Sequence, residues 1–148
     1  MKKILIIVFL IFFYNPISSP KTKIVQTENN LLYFIGEWIN TPYRFGGTSK
    51  SGIDCSAFVR KLFKDVYDLN LPRTAYRQFK VSKRIKKKDL EKGDLIFFKS
   101  YGTNPWHVGM YLGSDYFIHS SINFGVTVSC LTDLHYQRIY YAAGRILR

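Results

Sequence analysis

Three residues of this 148-residue chain have the types that amide chemistry requires: one cysteine, Cys55, and two histidines far downstream, His107 and His119. Cys55 lies in Gly52-Ile53-Asp54-Cys55-Ser56-Ala57-Phe58-Val59, where a glycine-bearing turn runs straight into an amphipathic helical pattern. A thiol at a helix N-terminus feels the positive end of the helix dipole and unpaired backbone N–H groups, and both favour the thiolate, which is the nucleophile. An imidazole can take up the proton and later protonate a leaving amine, while a third polar group fixes that imidazole's tautomer. Cys55, His107 and His119 fill those places in order. Each alone has a duller reading, since a cysteine at a helix start is more often structural and a strand histidine more often a satisfied polar residue. Their combination points to a cysteine hydrolase. His135, beside Tyr136 and outside any pattern, reads as a surface or loop histidine.

The elements that must position these groups follow from periodicity. Leu31, Leu32, Phe34, Ile35, Trp38 and Ile39 fall at helical spacing in a segment that Thr27 opens and Pro42 closes, and Lys21 to Gln26 before it read as a tether. Paired glycines in Tyr43-Arg44-Phe45-Gly46-Gly47-Thr48 allow close backbone approach. Asp54 is a suitable N-cap for a second helix whose apolar face carries Ala57, Phe58, Leu62, Phe63 and Val66 and which ends near Asn70. Thr74 caps a short helix through Phe79. The period then becomes extended: Leu95–Phe98, His107–Leu112, Tyr116–His119, Val126–Cys130 and Ile139–Leu147 are predicted strands. Helices first and strands afterwards imply an α+β domain, an antiparallel sheet with helices packed on one face. His107 starts one strand and His119 ends the next, so an antiparallel pairing brings the rings into hydrogen-bonding range if both face one side. That same face would have to meet the N-terminus of the Cys55 helix.

Composition limits the alternatives. Lys plus Arg outnumber Asp plus Glu by 22 to 10, with Lys83, Arg84, Lys86, Lys87 and Lys88 clustered, so the surface attracts polyanions such as anionic envelope polymers, unless the cluster is only a solvated loop. Residues 1–19 read as a signal peptide or an uncleaved leader: Lys2 and Lys3, an apolar run from Ile4 to Phe13, then Pro16 to Ser19. That run is short for a span of about 20 residues, so a permanent transmembrane anchor is the weaker reading. The leader sends the chain out of the cytoplasm, to the periplasm, envelope or exterior, away from nucleic acid. Residues 20–28 form the tether and 29–148 one catalytic domain, expected as a monomer. Cys55 and Cys130 are the only cysteines, and both are predicted reduced, because a bridge would consume the nucleophile. A zinc-binding module built on Cys55, His107, His119 and Asp54 is the rival class, weakened by the absence of close-spaced ligand pairs; no metal or cofactor is expected.

The motifs resemble those of a known family. Tyr43-Arg44-Phe45-Gly46-Gly47, the Cys55 segment, Leu71-Pro72-Arg73-Thr74, Lys92-Gly93-Asp94-Leu95-Ile96-Phe97-Phe98, His107-Val108-Gly109-Met110-Tyr111 and Phe117-Ile118-His119-Ser120-Ser121 look like the successive motifs of NlpC/P60 cell-wall peptidases. The resemblance implies a papain-like fold, a Cys55-His107-His119 active site and hydrolysis of peptidoglycan stem peptides, typically between D-glutamate and the following diamino acid. It also implies substrate contacts from Tyr43, Asp54 and Ser56, with the Tyr43 hydroxyl near the developing oxyanion and Asp54 meeting the amino end of a stem peptide. Ala57 stands where glycine is usual, which bears on substrate choice. Within the class, a secreted amidase toxin acting on a competitor's wall is the alternative.

Overall fold

A computed structural model describes residues 19–99 and 101–146; the expected leader falls almost wholly outside them. The first helix, α1 (Pro20–Trp38), starts seven residues before the predicted Thr27. Ser19 caps it by accepting from the Thr22 N–H, and Pro20 sits in its first turn, where a missing N–H costs nothing. The expected tether at residues 20–28 is therefore helix. Apolar Leu31, Phe34 and Trp38 bury one stripe of α1.

A two-residue hairpin, β1 (Thr48–Ser49) with β2 (Gly52–Ile53), carries the chain into the second helix. Its turn requires glycine: Gly52 has φ 155°, and a Cβ on Gly47 would lie 2.3 Å from the Gly52 carbonyl oxygen. Helix α2 (Cys55–Tyr67) is capped by Asp54, as its sequence predicts, and ends at Asp68 in the left-handed conformation. Helix α3 (Ala75–Val81) is capped by Thr74.

Strands β3 (Lys83–Ile85), β4 (Leu95–Phe98), β5 (His107–Gly113), β6 (Tyr116–Ser121), β7 (Gly125–Cys130) and β8 (Tyr140–Arg145) form one antiparallel sheet in the order β3-β8-β4-β5-β6-β7. The basic cluster expected as a loop thus begins as an edge strand, followed by a 3-10 turn at Lys87–Asp89. Lysines suit an edge because they discourage pairing with another chain. A short helix not foreseen from the sequence, α4 (Leu134–Ile139), precedes β8. This is the α+β architecture predicted, with helices before an antiparallel sheet.

Two apolar clusters lie on opposite faces of the sheet. Phe58, Leu62 and Phe63 of α2 pack with Leu95, Phe97, Val108, Met110 and Ile118 on one face, against the aromatic trio Phe34, Trp38 and Phe58. Ile96, Phe98, Tyr111, Phe117 and Leu131 pack on the other, covered by Tyr136 and Tyr140. Every strand residue from Leu95 to Phe98 is buried because β4 is sandwiched on both sides.

Candidate active site

The nucleophile candidate is set by local chemistry. Asp54 accepts the Ala57 N–H at 2.8 Å and the Gly46 N–H at 3.1 Å, which pins the glycine loop to the first turn of α2. Arg73 grips the same carboxylate with both terminal nitrogens, at 3.0 and 2.5 Å, and also donates to Ser56 Oγ at 3.0 Å. Gln78 donates to the carbonyls of Ser56 and Pro72, both at 2.9 Å, and so ties the Arg73 loop to α2. Burial pushes the Asp54 carboxyl up, but hydrogen bonds from Arg73, the Ala57 N–H and Ser56 outweigh it and hold the group below the usual carboxylate range.

This engagement changes the reading of two expected substrate contacts. Asp54 Oδ1 already meets Ala57, Ser56 and Arg73, and Oδ2 meets Gly46 and Arg73, so the contact to a stem-peptide amine finds no uncommitted oxygen. The Ser56 hydroxyl donates to Asp54 and receives Arg73, with 6% of the residue exposed. Both residues line the cleft but spend their polar atoms on holding its wall. Tyr43, half-buried in the same cleft, is the expected contact whose hydroxyl has no such commitment among the described residues. Burial, then the proximity of Cys55 and Asp54, raise its pKa, so it keeps its proton and stays a donor.

Cys55 lies at the floor of a cleft of about 720 Å³ whose wall includes Tyr43, Phe45, Arg73, Tyr76, Tyr101 and Trp106. Its sulfur faces the Trp106 carbonyl at 3.8 Å and receives the backbone N–H of Val108, so it rests against the main chain on either side of His107. Burial pushes the thiol up to about 12, against the helix-terminal N–H groups of Ser56 and Cys55, which pull it down. Desolvation therefore exceeds the dipole effect expected from the sequence, and the isolated group rests as a thiol.

The histidines come from the sheet. His107 opens β5 and His119 lies on β6; His107 Nε2 and His119 Nδ1 are 2.7 Å apart with the rings edge to face. Gly109 permits this approach, because a Cβ there would lie 2.8 Å from the Phe117 ring and 3.1 Å from His119 Cβ. Among the described residues, the buried Nδ1 of His107 has no hydrogen-bond partner. Burial lowers His107 to about 4; burial, His107 and His135 lower His119 to about 2, so both imidazoles rest neutral.

The structure departs from the expected shared face. The histidines do not project from the face that α2 covers; they pack against Phe98, Phe117 and Tyr136 on the opposite face. The helix terminus instead reaches the end of β5, where the Cys55 sulfur rests against the main chain of Trp106 and Val108 while the His107 ring lies on the other face. Ser120, next to His119, fixes the approach by donating to the Ile53 carbonyl at 2.7 Å, two residues before Cys55. A second cavity of about 420 Å³ opens on the histidine side and shares Trp106 and Ile122 with the first.

Two polar partners escaped the sequence reading. His119 Nε2 lies 3.0 Å from Ser129 Oγ and 3.2 Å from the Tyr136 hydroxyl. Alternation places Ser129 on a strand, but nothing local marks it or Tyr136 as facing a histidine. Both cysteines are free; Cys130, on the outer strand, contacts Thr132 at 3.0 Å. Among the described residues no group of three or more His, Cys, Asp or Glu side chains is arranged to hold a metal ion.

A buried helix-terminal cysteine set beside a histidine pair on an antiparallel sheet defines the papain-like class of fold. Residues 40–145 match the NlpC/P60 family model, and the chain belongs to that family. It is 37% identical over 134 residues to the probable endopeptidase NlpC homolog of Haemophilus influenzae, covering 90% of this chain and 71% of that protein. It is 35% identical over 123 residues to the murein DD-endopeptidase MepS/murein LD-carboxypeptidase of Escherichia coli K12, covering 83% of this chain and 65% of that protein. Among solved structures, an NlpC/P60 family protein from Bacillus cereus superposes with a TM-score of 0.72 at 32% identity, covering 79% of this chain and 39% of that one.

Proposed function

We propose that the chain is a cysteine endopeptidase that hydrolyses amide bonds in peptidoglycan stem peptides. The observation that carries this reading is the unpartnered Nδ1 of His107, beside a strand end against which the Cys55 sulfur rests, with the other ring nitrogen already engaged by His119. His107 Nδ1 takes the proton of Cys55 as sulfur attacks the amide carbonyl. The first-turn N–H groups of α2 and the Tyr43 hydroxyl hold the oxyanion, placed where charge develops and not where it starts. His107 then protonates the departing amine, leaving a thioester that water cleaves. The raised thiol and lowered imidazole keep the resting pair's one proton on sulfur across a broad pH range, so proton transfer accompanies attack.

Two bonds of a stem peptide fit. The D-glutamyl–diamino acid bond, implied by the family resemblance, brings a free α-carboxylate to the acyl side. The one cation lining the cleft among the described residues is Arg73, and Asp54 occupies it. A D-alanyl–diamino acid cross-link presents a neutral acyl group, which the aromatic wall suits better, and the Escherichia coli relative is named for DD-endopeptidase activity. We favour the cross-link. The Lys83–Lys88 segment supplies an exposed cationic edge for anionic envelope polymers.

The test is mass spectrometry of defined cross-linked and uncross-linked muropeptides after incubation with the purified protein, with Cys55→Ala as control. Monomers released from cross-linked dimers are expected, and none from the variant. Cleavage of uncross-linked stems after D-glutamate would move the assignment to the other bond. Cleavage by Cys55→Ala would remove the cysteine mechanism.

A further inference from the structure

The base described above works only in one tautomer. For Nδ1 of His107 to accept a proton from sulfur, the neutral ring must carry its hydrogen on Nε2 and donate it to His119 Nδ1. His119 must then carry its own hydrogen on Nε2. The atoms facing Nε2 are two hydroxyl oxygens, Ser129 Oγ at 3.0 Å and Tyr136 at 3.2 Å. We propose that Ser129 and Tyr136 are positioning residues that complete a four-group relay, accepting the Nε2 hydrogen of His119 and thereby holding His107 in the tautomer that can act as base. This rests on the cysteine-hydrolase reading above.

The alternative arrangement is specific and inactive. If a hydroxyl donated to His119 Nε2, His119 would carry hydrogen on Nδ1 and donate to His107 Nε2. His107 would then carry hydrogen on Nδ1 and could accept nothing from sulfur. The hydroxyl geometry disfavours that state, because Ser129 Oγ has a second outlet in the Tyr136 oxygen at 3.3 Å, and donating there turns its lone pairs toward His119. Tyr136 borders the histidine-side cavity, so its own hydrogen can turn to solvent. The ring needs no hydroxyl to stay in place: it packs on Phe98 and Phe117 with centroids 5.5 and 4.9 Å away. Tyr136→Phe is therefore a deletion of one oxygen with the packing kept. Ser129 is fixed by β7, where it pairs opposite Phe117.

The experiment uses the full chain and the variants Tyr136→Phe, Ser129→Ala, Ser129→Thr and the Tyr136→Phe/Ser129→Ala double. Three quantities are read: kcat and KM on a cross-linked muropeptide, the rate at which iodoacetamide alkylates Cys55 as identified by peptide mass, and the His119 tautomer from ring-nitrogen NMR shifts. Loss of one hydroxyl is expected to lower kcat about tenfold with KM unchanged, and loss of both more, within the range of a misplaced general base. Alkylation should slow in parallel, His119 should populate the Nδ1–H form in the double variant, and Ser129→Thr should restore the rate. A double variant with kcat and alkylation within twofold of the parent overturns the proposal, as does a loss of kcat with the His119 tautomer unchanged. If the double variant does not fold, the same criteria apply to Tyr136→Phe, whose packing is kept. Alkylation and NMR involve no stem peptide, so failure of the substrate assignment leaves this test intact.

Discussion

The cysteine half and the histidine half of the site are held by different kinds of interaction. Around Cys55 the constraints are short in sequence and polar: Asp54 caps its own helix, and the outside contributions are Arg73 and Gln78 from the loop and helix that follow. Around His107 the constraints are long in sequence and mostly apolar: a register between β5 and β6, a glycine that lets them close, and aromatic rings beneath. The first half is a local motif that would form wherever its helix formed. The second exists only when the sheet is complete. Chemistry thus depends on the join between them, a strand end where the Cys55 sulfur meets the main chain of Trp106 and Val108 and where Ser120 donates to the Ile53 carbonyl.

The comparison is broken most severely at the histidines. His107→Ala removes the group that moves the proton and should cost about 10⁴-fold in kcat/KM, whereas His119→Ala removes only orientation and should cost about 10²-fold. Both are measured on the same muropeptide, with circular dichroism to confirm the fold. Equal losses would mean that His119 takes part in proton transfer itself.

A smaller effect is expected at the polar clamp of the cysteine half. Arg73→Ala leaves the buried Asp54 carboxylate with its N–H partners but without its cation, at a cost of roughly 2 kcal/mol, or several degrees in Tm for a domain of this size. Activity should fall as well, because the first turn of α2 carries both sulfur and oxyanion donors. A Tm unchanged by Arg73→Ala would show that the guanidinium sits at the carboxylate without supporting it.

The same contrast explains what could be read in advance. Asp54, Cys55 and the α2 stripe were legible because a cap and a 3.6-residue period are local patterns. Strands β4 to β8 were legible as extended segments, and so was the meeting of His107 and His119, whereas the short strands β1 to β3 were not. The sheet face was not: alternation puts His107 and His119 on one side of β5 and β6, but both sides carry apolar residues, so it does not say which side α2 covers. Helix α4 has no buried residue to give it a period, so Tyr136 had no visible role. The start of α1 was missed because its first two turns are exposed and carry no apolar stripe. The direction of the thiol shift was missed for a related reason: the dipole at a helix terminus is implied by sequence, while the depth of burial that outweighs it belongs to the assembled fold.

Burial also separates the two halves along the pH axis. The folded values of His107 and His119, about 4 and about 2, lie below the ordinary 6.5, so an unfolded chain takes up protons first as pH falls. Their neutral burial contributes stability in full above about pH 6.5 and loses it progressively toward the folded values, roughly 2 kcal/mol per ring by pH 5. Asp54, with its lowered value, loses its contribution only below the ordinary carboxylate range near 3.8, so it does not move in this window. Cys55 has the opposite sign: its folded value of about 12 lies above the ordinary 9.0, so its contribution is present below pH 9 and is lost as pH rises from there. Urea midpoints should therefore fall on the acid side because of the histidine half, and more gently between pH 8.5 and 9.5 because of the cysteine half. His119→Asn should reduce the acid arm by about half, leaving the His107 share, and Cys55→Ser should flatten the alkaline arm alone. If either substitution flattened both arms, the two halves would be one electrostatic unit already at rest, and the proton would be shared between sulfur and imidazole before substrate arrives.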